Sequence, residues 1–365
     1  MGFSCGIVGL PNVGKSTLFN ALTNSRNAKA SNYAFCTIDP NKAIVEVPDD
    51  RLIKIGKIEN SKNIINTQLN FIDIAGLVRG ASKGEGLGNK FLSHIKEVDL
   101  ILHVIRCFDD PDIDHVEDSL DPIRDVKIVE DELILSDLIS AEEQLKKLKK
   151  EIDKDKDNKE KIPILEKIMN SLMSEKSLKN LNFNKDEKKF LKTFNLISTK
   201  PKIFVCNLSE KEKLEDNKYL DLVKNNINDD SAAIISISAE IESQITQLES
   251  EMEKKEFLDS LGWKNSGLDR IIKSSYIKLN LITFFTAGEK ETRAWTVKKN
   301  SIAPDASSTI HTDFKKGFIC AETTSYEDYI KYGGSKGAKE NGKTRQEGKE
   351  YLVKDGDIIH FLFNV

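Results

Sequence analysis

The sequence predicts an α/β fold in which helices cover a parallel β-sheet, followed by a small α+β domain. Three observations predict it. Short apolar runs alternate with helical patterns as far as residue 237, as strands of a covered parallel sheet do. A stretch rich in leucine, lysine and glutamate interrupts the alternation at residues 126–199. After residue 280, strand-like runs alternate with glycine- and lysine-rich loops. The predicted domains are therefore 1–280, interrupted by 126–199, and 281–365.

The parallel strands are predicted from runs that are nearly all apolar, because both faces of such a sheet are buried. A helix over residues 18–22 follows the first of them, and this β-α-β order places neighbouring strands in parallel. The predicted strands are Cys5–Val8, Leu69–Ile74, Leu100–Ile105, Lys202–Cys206 and Ala233–Ile237.

The insertion at 126–199 is predicted to form two long antiparallel helices that close on each other as a coiled-coil hairpin. Leu133, Leu138 and Leu145 recur in it at helical spacing. The charged run Asp153–Lys161, ahead of Pro163, is predicted to be the break between the helices. The alternative is a solvated helical excursion that has no partner.

The predicted C-terminal domain, 281–365, begins with strand-like runs after a helix at about Asp269–Lys278. Lysines and arginines cluster in it, with acidic residues between them. Its tyrosines Tyr326, Tyr329 and Tyr332 are candidates for stacking on unpaired bases, or alternatively for core packing.

Composition limits the partners and the compartment. The net charge of −4 argues against a strong global attraction to nucleic acid or anionic membrane, so any RNA contact must be local. The five cysteines contain no CxxC pair, which favours a reducing compartment over a disulfide framework or zinc site. There is no signal-peptide pattern, and no apolar run of about 18 residues that would span a membrane. A cytoplasmic location is therefore expected.

A phosphate-binding loop is predicted at Gly9–Thr17, which matches GxxxxGK[ST] between a strand and a helix. Gly9 and Gly14 let the backbone curl, so that N–H groups and the positive end of the helix converge on phosphate. Lys15 is expected to reach the β- and γ-phosphates as a catalytic residue, and the Ser16 hydroxyl to bind Mg²⁺. A chance glycine-rich turn would not explain the strand–helix context. The predicted nucleotide-binding residues of this loop are Asn12, Val13, Gly14, Lys15, Ser16 and Thr17.

Further motifs predict the remaining metal and phosphate ligands. Asp73-Ile74-Ala75-Gly76 ends an apolar strand, where nucleotide hydrolases of this type keep the acid that holds Mg²⁺; Gly76 can donate its N–H to the γ-phosphate. Thr37 has the spacing of a second hydroxyl ligand. The alternatives are an aspartate that caps a turn and an ordinary loop threonine. The predicted metal ligands are thus Ser16, Thr37 and Asp73.

The base site is predicted at Asn207–Glu210, where guanine-specific proteins of this class carry Asn-Lys-x-Asp. Leu208 replaces the lysine, and Glu210 replaces the aspartate that accepts from the guanine N1–H and amino group. Adenine offers neither donor at those positions, so the loss of the aspartate favours ATP over GTP. Ser238 and Ala239 occupy the place of the loop that flanks the base. The predicted base-site residues are Asn207, Leu208, Glu210, Ser238 and Ala239.

Taken together, these motifs resemble the YchF family of Obg-like ATPases, and the likeness extends over nearly the whole chain. It rests on Gly9–Thr17, Phe35-Cys36-Thr37, Asp73–Val78, Gly80–Asn89 and Asn207–Glu210. The C-terminal segments Ala294-Trp295-Thr296, Ile310–Phe314 and Asp355–Val365 resemble a TGS domain, a β-grasp module found on several RNA-associated proteins. The implied fold is a G-domain-like P-loop NTPase with a helical coiled-coil insertion and a C-terminal β-grasp (TGS) domain of the α+β class.

The resemblance also implies what the protein does. It implies slow ATP hydrolysis and association with the ribosome, through ribosomal RNA or a ribosomal protein, as a switch in translation or stress regulation. Leu77 stands where many relatives keep the glutamine that orients the attacking water, and the family's catalytic histidine matches His115, which is otherwise a solvent-exposed loop residue. Asn12 is a candidate for holding K⁺, or else stabilises the loop. The chain is expected to be monomeric.

Other functional classes share some of these features. A GTP-binding, RNA-associated switch would need a base site that tolerates guanine. A small-molecule kinase would need an acceptor pocket and an arginine-rich lid, whereas the arginines near the motifs are few: Arg79, Arg106 and Arg124.

Overall fold

In the computed structural model, the described residues are 2–24, 41–74, 94–113, 119–151, 157–174, 183–211, 217–227 and 232–364. They divide into two compact units: Phe3–Ala43 with Asn70–Ile271, and Ile44–Leu69 with Ile272–Val365. Among the described residues, no helix combines the length and the apolar character needed to cross a bilayer.

The elements follow one another in chain order as β1 (Ser4–Val8), α1 (Lys15–Asn24), β2 (Lys42–Glu46), α2 (Asp50–Ile58), β3 (Asn63–Ile65), β4 (Gln68–Asp73), β5 (Leu100–Arg106), α3 (Pro122–Lys150), α4 (Asp157–Met173), α5 (Lys185–Phe194), a 3₁₀ turn (Ile197–Thr199), β6 (Lys202–Asn207), α6 (Lys218–Asn226), β7 (Ala233–Ile237), α7 (Ala239–Gln247), α8 (Glu251–Ser260), α9 (Gly267–Lys278), β8 (Leu281–Thr286), β9 (Glu291–Lys298), α10 (Ala303–Ile310), α11 (Thr312–Lys316), β10 (Phe318–Thr324), α12 (Tyr326–Lys331), α13 (Ser335–Glu340), β11 (Arg345–Glu347) and β12 (Ile358–Phe363).

The first unit is built on the predicted parallel sheet. Within the described part of the chain its strand order is β2-β4-β1-β5-β6-β7. The pairs β1–β4, β1–β5, β5–β6 and β6–β7 are all parallel. Every residue of β5 is buried, as expected of a strand near the centre of a covered sheet. The α/β class predicted from the apolar runs is therefore confirmed.

The insertion is helical over α3, α4 and α5. Buried Ala141 and Leu148 of α3 pack with Leu165, Ile168 and Leu172 of α4 in one hydrophobic cluster. The predicted break at Asp153–Lys161 is wrong in its second half, because α4 begins at Asp157 and contains Pro163. Pro163 is the seventh residue of this helix, where it removes one backbone hydrogen bond and crowds the preceding turn. The coiled-coil hairpin as such stays a prediction.

The second unit contains a mixed sheet, with the strand order β11-β10-β12-β8-β9-β3 among the described residues. Neighbouring residues along a strand point to opposite faces. Phe284 belongs to a cluster with Phe361 and Val297 on one face, whereas Phe285 belongs to a cluster with Tyr329 on the other. Both faces of this sheet are therefore covered. Tyr329 is 1% exposed, so it is a core residue and not a platform for a base.

Residues 44–69 form part of this second unit, although the predicted division assigned them to 1–280. Strand β3 pairs in parallel with β9. Leu52 and Ile55 of α2 lie in the same cluster as Phe285 and Tyr329. Arg51 Nη1 donates to Asp355 Oδ2 at 2.7 Å. The domain boundaries drawn from the sequence stay a prediction, but the compact unit combines an early segment with the C-terminal one.

Candidate nucleotide-binding site

The turn between β1 and α1 depends on two glycines. Gly9 has φ 155° and Gly14 has φ 96°, which residues with a side chain rarely adopt. A Cβ at Gly9 would lie 2.4 Å from the Val104 carbonyl oxygen, and one at Gly14 would lie 2.2 Å from Asn207 Nδ2. Asn12 is also left-handed, with φ 61°. The turn is therefore packed closely against β5 and β6, and only glycine fits at its two ends.

Helix α1 begins directly after this turn. Its first intrahelical hydrogen bond in this region runs from Leu18 N to Gly14 O, at 3.0 Å. Amides in the first turn of a helix have no intrahelical acceptor, and together with the helix dipole they form a site for anions. Ser16 is exposed there and Thr17 is half-buried, whereas Val13 is buried. The sequence has thus placed an exposed hydroxyl at the positive end of a helix.

Lys15 is a buried amine. Its side chain is 7% exposed, and Nζ donates to the Leu10 carbonyl oxygen at 2.6 Å. Burial lowers the pKa of Lys15 to about 8, and the negative charge of Asp73 acts in the opposite direction. A phosphate placed beside this amine would favour its charged form and raise its pKa.

Asp73 closes β4, next to β1, where it is paired with Ile7. Burial raises the pKa of its carboxyl group, and Lys15 opposes that rise. Oδ1 is buried and has no hydrogen-bond partner among the described residues. A buried carboxylate oxygen left without a partner is costly, and such atoms are kept where they serve a ligand. The Asp73 oxygen and the Ser16 hydroxyl fit Mg²⁺, a cation that prefers oxygen ligands and retains waters.

Asn207 joins the phosphate-binding turn to the predicted base loop. Its Nδ2 donates to the Val13 carbonyl oxygen at 3.0 Å, and its Oδ1 accepts from Ala239 N at 2.9 Å. The side chain is 5% exposed, so these bonds form away from water. Asn207 therefore fixes the distance between the two loops.

The other predicted base-site residues differ in whether their side chains are accessible to a ligand. Leu208 is 2% exposed and packs in a cluster with Ile105 and Cys107, so its side chain does not face a ligand. Glu210 is exposed and accepts from Gln244 Nε2 at 3.3 Å. Ser238 is buried, and its hydroxyl caps α7. The carboxylate of Glu210 is thus the accessible charged group of this loop.

Some predicted site residues lie outside the described residues: Thr37, Gly76 and His115. Their roles as metal ligand, phosphate donor and catalytic residue stay predictions. The structure brings the others, from Asn12 to Thr17, Asp73, Asn207 and Ala239, to the carboxyl edge of one sheet, where ligands bind in open α/β folds.

Sequence reasoning noted Arg106 and Arg124 near the motifs but did not foresee the contacts that they make. Arg106 ends β5, and its guanidinium donates to backbone carbonyl oxygens of the following turn. Arg124, in the first turn of α3, donates to Ser119. The sequence offered one signal for Arg106, which is a charged residue at the end of an otherwise apolar strand. The carbonyl oxygens that accept its hydrogen bonds could not be predicted, because they depend on the fold of the following turn.

Family models match two parts of this chain. Residues 4–208 match a family model described as a 50S ribosome-binding GTPase. Residues 281–364 match the C-terminal model of the YchF GTPases, described as a protein of unknown function.

Two full-length relatives carry the same name. The chain is 50% identical over 366 residues to the ribosome-binding ATPase YchF of Haemophilus ducreyi, with 100% of both chains covered. It is also 50% identical, over 368 residues, to the protein of that name from Bacillus subtilis, again with 100% of each covered. Among solved structures, the Schizosaccharomyces pombe YchF GTPase superimposes with a TM-score of 0.88 at 39% identity, covering 99% of this chain and 98% of that one.

Proposed function

The chain belongs to the YchF family, and from that premise we propose that it is a ribosome-associated ATPase that hydrolyses ATP slowly. The bound nucleotide would act as a conformational switch in translation or stress regulation. The observation that carries the hydrolase assignment is the buried Lys15 amine beside Asp73, whose Oδ1 has no hydrogen-bond partner among the described residues, at the end of a glycine-rich turn. A triphosphate bound at this turn would meet a positive group and a metal-binding group together.

The preference for ATP is supported by the base loop. Guanine is read by an aspartate that accepts from two donors on its edge, and this loop offers Glu210 instead, held by Gln244. Because adenine lacks the N1–H, it gains nothing from an aspartate there. The second candidate, a GTP-binding switch, is favoured by the likeness to the Schizosaccharomyces pombe YchF GTPase.

Affinities for ATP and GTP separate the two candidates. We expect the full chain to bind ATP at least roughly tenfold more tightly than GTP. Glu210→Asp should narrow that ratio, and Glu249→Asp, an exposed glutamate outside the loop, should leave it unchanged. Tighter binding of GTP by the parent chain would replace the first candidate with the second. Leu208→Lys is avoided, since that buried position would not accept a charge without loss of stability.

Mg²⁺ is the proposed cofactor, held by Ser16, Thr37 and Asp73 together with the nucleotide. It would neutralise the charge that develops on the phosphates. Asn12 is proposed to hold K⁺. With Leu77 in the glutamine position, His115 is proposed to orient the attacking water, while Lys15 stabilises the transferred phosphoryl group.

Ribosome binding is proposed to involve residues 281–365, as a TGS module, and the helical insertion. Part of the basic cluster is neutralised internally, since Lys315, Lys316 and Lys339 form ion pairs. Lys331, Lys336 and Lys349 are exposed, and Lys331 lies over the Tyr332 ring. These lysines are the proposed contacts with ribosomal RNA or protein. The protein is further proposed to be a cytoplasmic monomer.

Co-sedimentation with ribosomes tests the surface. The triple variant Lys331→Ala, Lys336→Ala, Lys349→Ala should bind more weakly than the parent at low salt, with a shallower salt dependence, because fewer phosphate contacts remain. The control carries Lys42→Ala, Lys255→Ala and Lys264→Ala, which are exposed lysines elsewhere. If the two triple variants sediment alike, the C-terminal surface is not the anchor and the insertion becomes the candidate.

A further inference from the structure

Strand β12 extends past the end of β8, its neighbour in the sheet of the second unit. The two strands are paired at Ile358 and Phe285. Strand β8 ends at Thr286, and the chain turns back there into β9. Strand β12 continues to Phe363 and stays paired with β10 over that length. Among the described residues, the end of β12 therefore has a neighbouring strand on one edge alone.

The other edge of β12 carries the main-chain N–H and C=O groups of Phe361. On the β8 side, Phe285 N donates to the Asp357 carbonyl oxygen at 2.8 Å. On the β10 side, Asn364 N donates to the Gly317 carbonyl oxygen at 2.9 Å. Successive residues of a strand direct these groups to opposite edges, so those of Phe361 point to the β8 side. No residue in the described ranges pairs its main chain with them there. An unpaired strand edge of this kind is a template for another extended chain.

A cavity of about 380 Å³ opens at the same place. Its walls come from both faces of the sheet, because it lies beside β12 where β8 has ended. Trp295, Phe314 and Phe361 pack on one face of the sheet, whereas Tyr329 packs on the other. The Phe314 and Phe363 rings are stacked, with 3.7 Å between their centres. The residues that define this β12 slot include Trp295, Phe314, Phe361, Phe363, Tyr329 and His360.

The charged side chains of the β12 slot favour a cation over an anion. They are the carboxylates of Glu291 and Glu322 and the amine of Lys339. Lys339 Nζ donates to Glu322 at 3.4 Å. Glu291 is more loosely placed, with a side chain that is 42% exposed and 3.9 Å from Arg293 Nη1. The guanidinium carbon of Arg293 lies 4.2 Å from the centre of the Trp295 ring. An aromatic ring beside a carboxylate attracts positive charge.

We propose that the β12 slot binds an extended, basic peptide segment of a partner protein. The peptide pairs with the free edge of β12 where β8 no longer does, and it places a lysine or arginine side chain near Trp295 and Glu291. Main-chain pairing gives such a complex its affinity, and the side-chain recess gives it selectivity. A small aromatic ligand or an unpaired base would use the rings but would not require the strand edge. The inference does not depend on the nucleotide site.

The test uses four acetylated and amidated six-residue peptides and the full chain. The first alternates valine with arginine, and the second has glutamate in place of arginine. The other two are the basic peptide methylated on the backbone nitrogens of its valines or of its arginines. Calorimetry measures each Kd, and ¹⁵N-edited spectra of the deuterated protein follow the Phe361 amide.

We expect the basic peptide to bind at least roughly tenfold more tightly than the acidic one, because like charges repel across an interface. It should shift the Phe361 amide and slow its hydrogen exchange. One methylated peptide should bind about tenfold more weakly and the other nearly as well as the parent peptide, since alternate N–H groups face β12.

Glu291→Gln should weaken binding of the basic peptide about threefold, as expected for an exposed ion pair. The control is Glu249→Gln, an exposed glutamate in the other unit, which should leave that Kd unchanged. Both variants should keep the parent's affinity for ATP.

Four results would overturn the inference. They are no binding of the basic peptide, equal affinity for the basic and acidic peptides, a Phe361 amide that does not respond, and equal affinity for the two methylated peptides. A decamer of uridine is the second probe. If it shifts the Phe361 amide and binds more tightly than the basic peptide, the occupant is single-stranded RNA and not a peptide.

Discussion

At the scale of single residues, the charge of Lys15 is the property of the site that should respond to pH near neutrality. Burial lowers its pKa to about 8, whereas a bound triphosphate would favour the charged amine. Binding of ATP therefore requires a protonated lysine, and above pH 8 the free protein must first take up a proton. Affinity should be nearly constant below that pH and should fall above it.

The ATP Kd should accordingly rise roughly tenfold between pH 7 and pH 9, following the fraction of charged Lys15 in the free protein. Calorimetric titrations in buffers of different ionisation enthalpy would also detect the proton taken up. Lys15→Arg is the control, because arginine stays charged throughout this range and its profile should be flat. A flat profile for the parent would contradict the lowered pKa.

The position of a residue within a local motif could be predicted, whereas its contacts with distant partners could not. Gly14, Lys15 and Asp73 were identified because the loop and the strand end carry their own signatures. Asn207 was identified as a base-site residue, yet its bond to Val13 joins positions 194 residues apart, and no local pattern encodes that. Leu208 was assigned to the base site from its position, whereas the structure shows its side chain in a hydrophobic cluster.

At the scale of elements, the long helix α3 serves both as part of the insertion and as a support for the sheet. Asp137, in its middle, is fully buried and accepts from Ile197 N at 2.9 Å and from Ser198 N at 2.8 Å. Those amides belong to the 3₁₀ turn that leads back into β6. The carboxylate therefore fixes the point where the insertion rejoins the sheet.

Asp137→Asn should destabilise the protein by about 2 kcal/mol, because an amide has a single acceptor oxygen and presents an NH₂ group to the second backbone donor. Chemical denaturation measures the change. Glu143→Gln, an exposed carboxylate on the same helix, should change stability by less than about 0.5 kcal/mol. Equal stability of the two variants would mean that the buried bonds contribute nothing.

Element types were predicted well where an apolar run was long. The strands β5 and β7 have nearly the predicted bounds; every residue of β5 is buried, and the residues of β7 are buried or half-buried. The short β3, with residues exposed or half-buried, gave no such signal, and its pairing with β9 is set by the surroundings of both segments. The start of α4 inside a charged run was missed because its apolar face lies further along the chain.

At the scale of the whole molecule, the composite second unit limits how the C-terminal part can be studied. A chain cut near residue 279 would leave Leu52 and Ile55 without the Phe285 and Tyr329 side chains that cover them. Loss of ribosome binding by such a fragment could then reflect misfolding and not a missing contact. Point substitutions on the surface are the sounder test.

Leu52→Ala should loosen the C-terminal strands, although it lies far from them in sequence. The residue is fully buried in the cluster with Phe285 and Ala294, so truncation should destabilise this unit by about 2–4 kcal/mol. Amide hydrogen exchange should accelerate in β8 and β9. Leu222→Ala, at a position 46% exposed, is the control. Unchanged exchange in β8 and β9 would show that residues 44–69 do not support this sheet.

The pairing of β3 with β9 also means that β3 is translated well before the strand with which it pairs. More than 200 residues separate the two strands, so at about 5–20 residues per second a nascent chain carries α2 and β3 for roughly 10 to 40 s before their partners are made. During that interval the apolar face of α2 has to remain unassembled or be shielded by a chaperone. The segments translated later therefore complete a structure whose first elements are made more than 200 residues earlier.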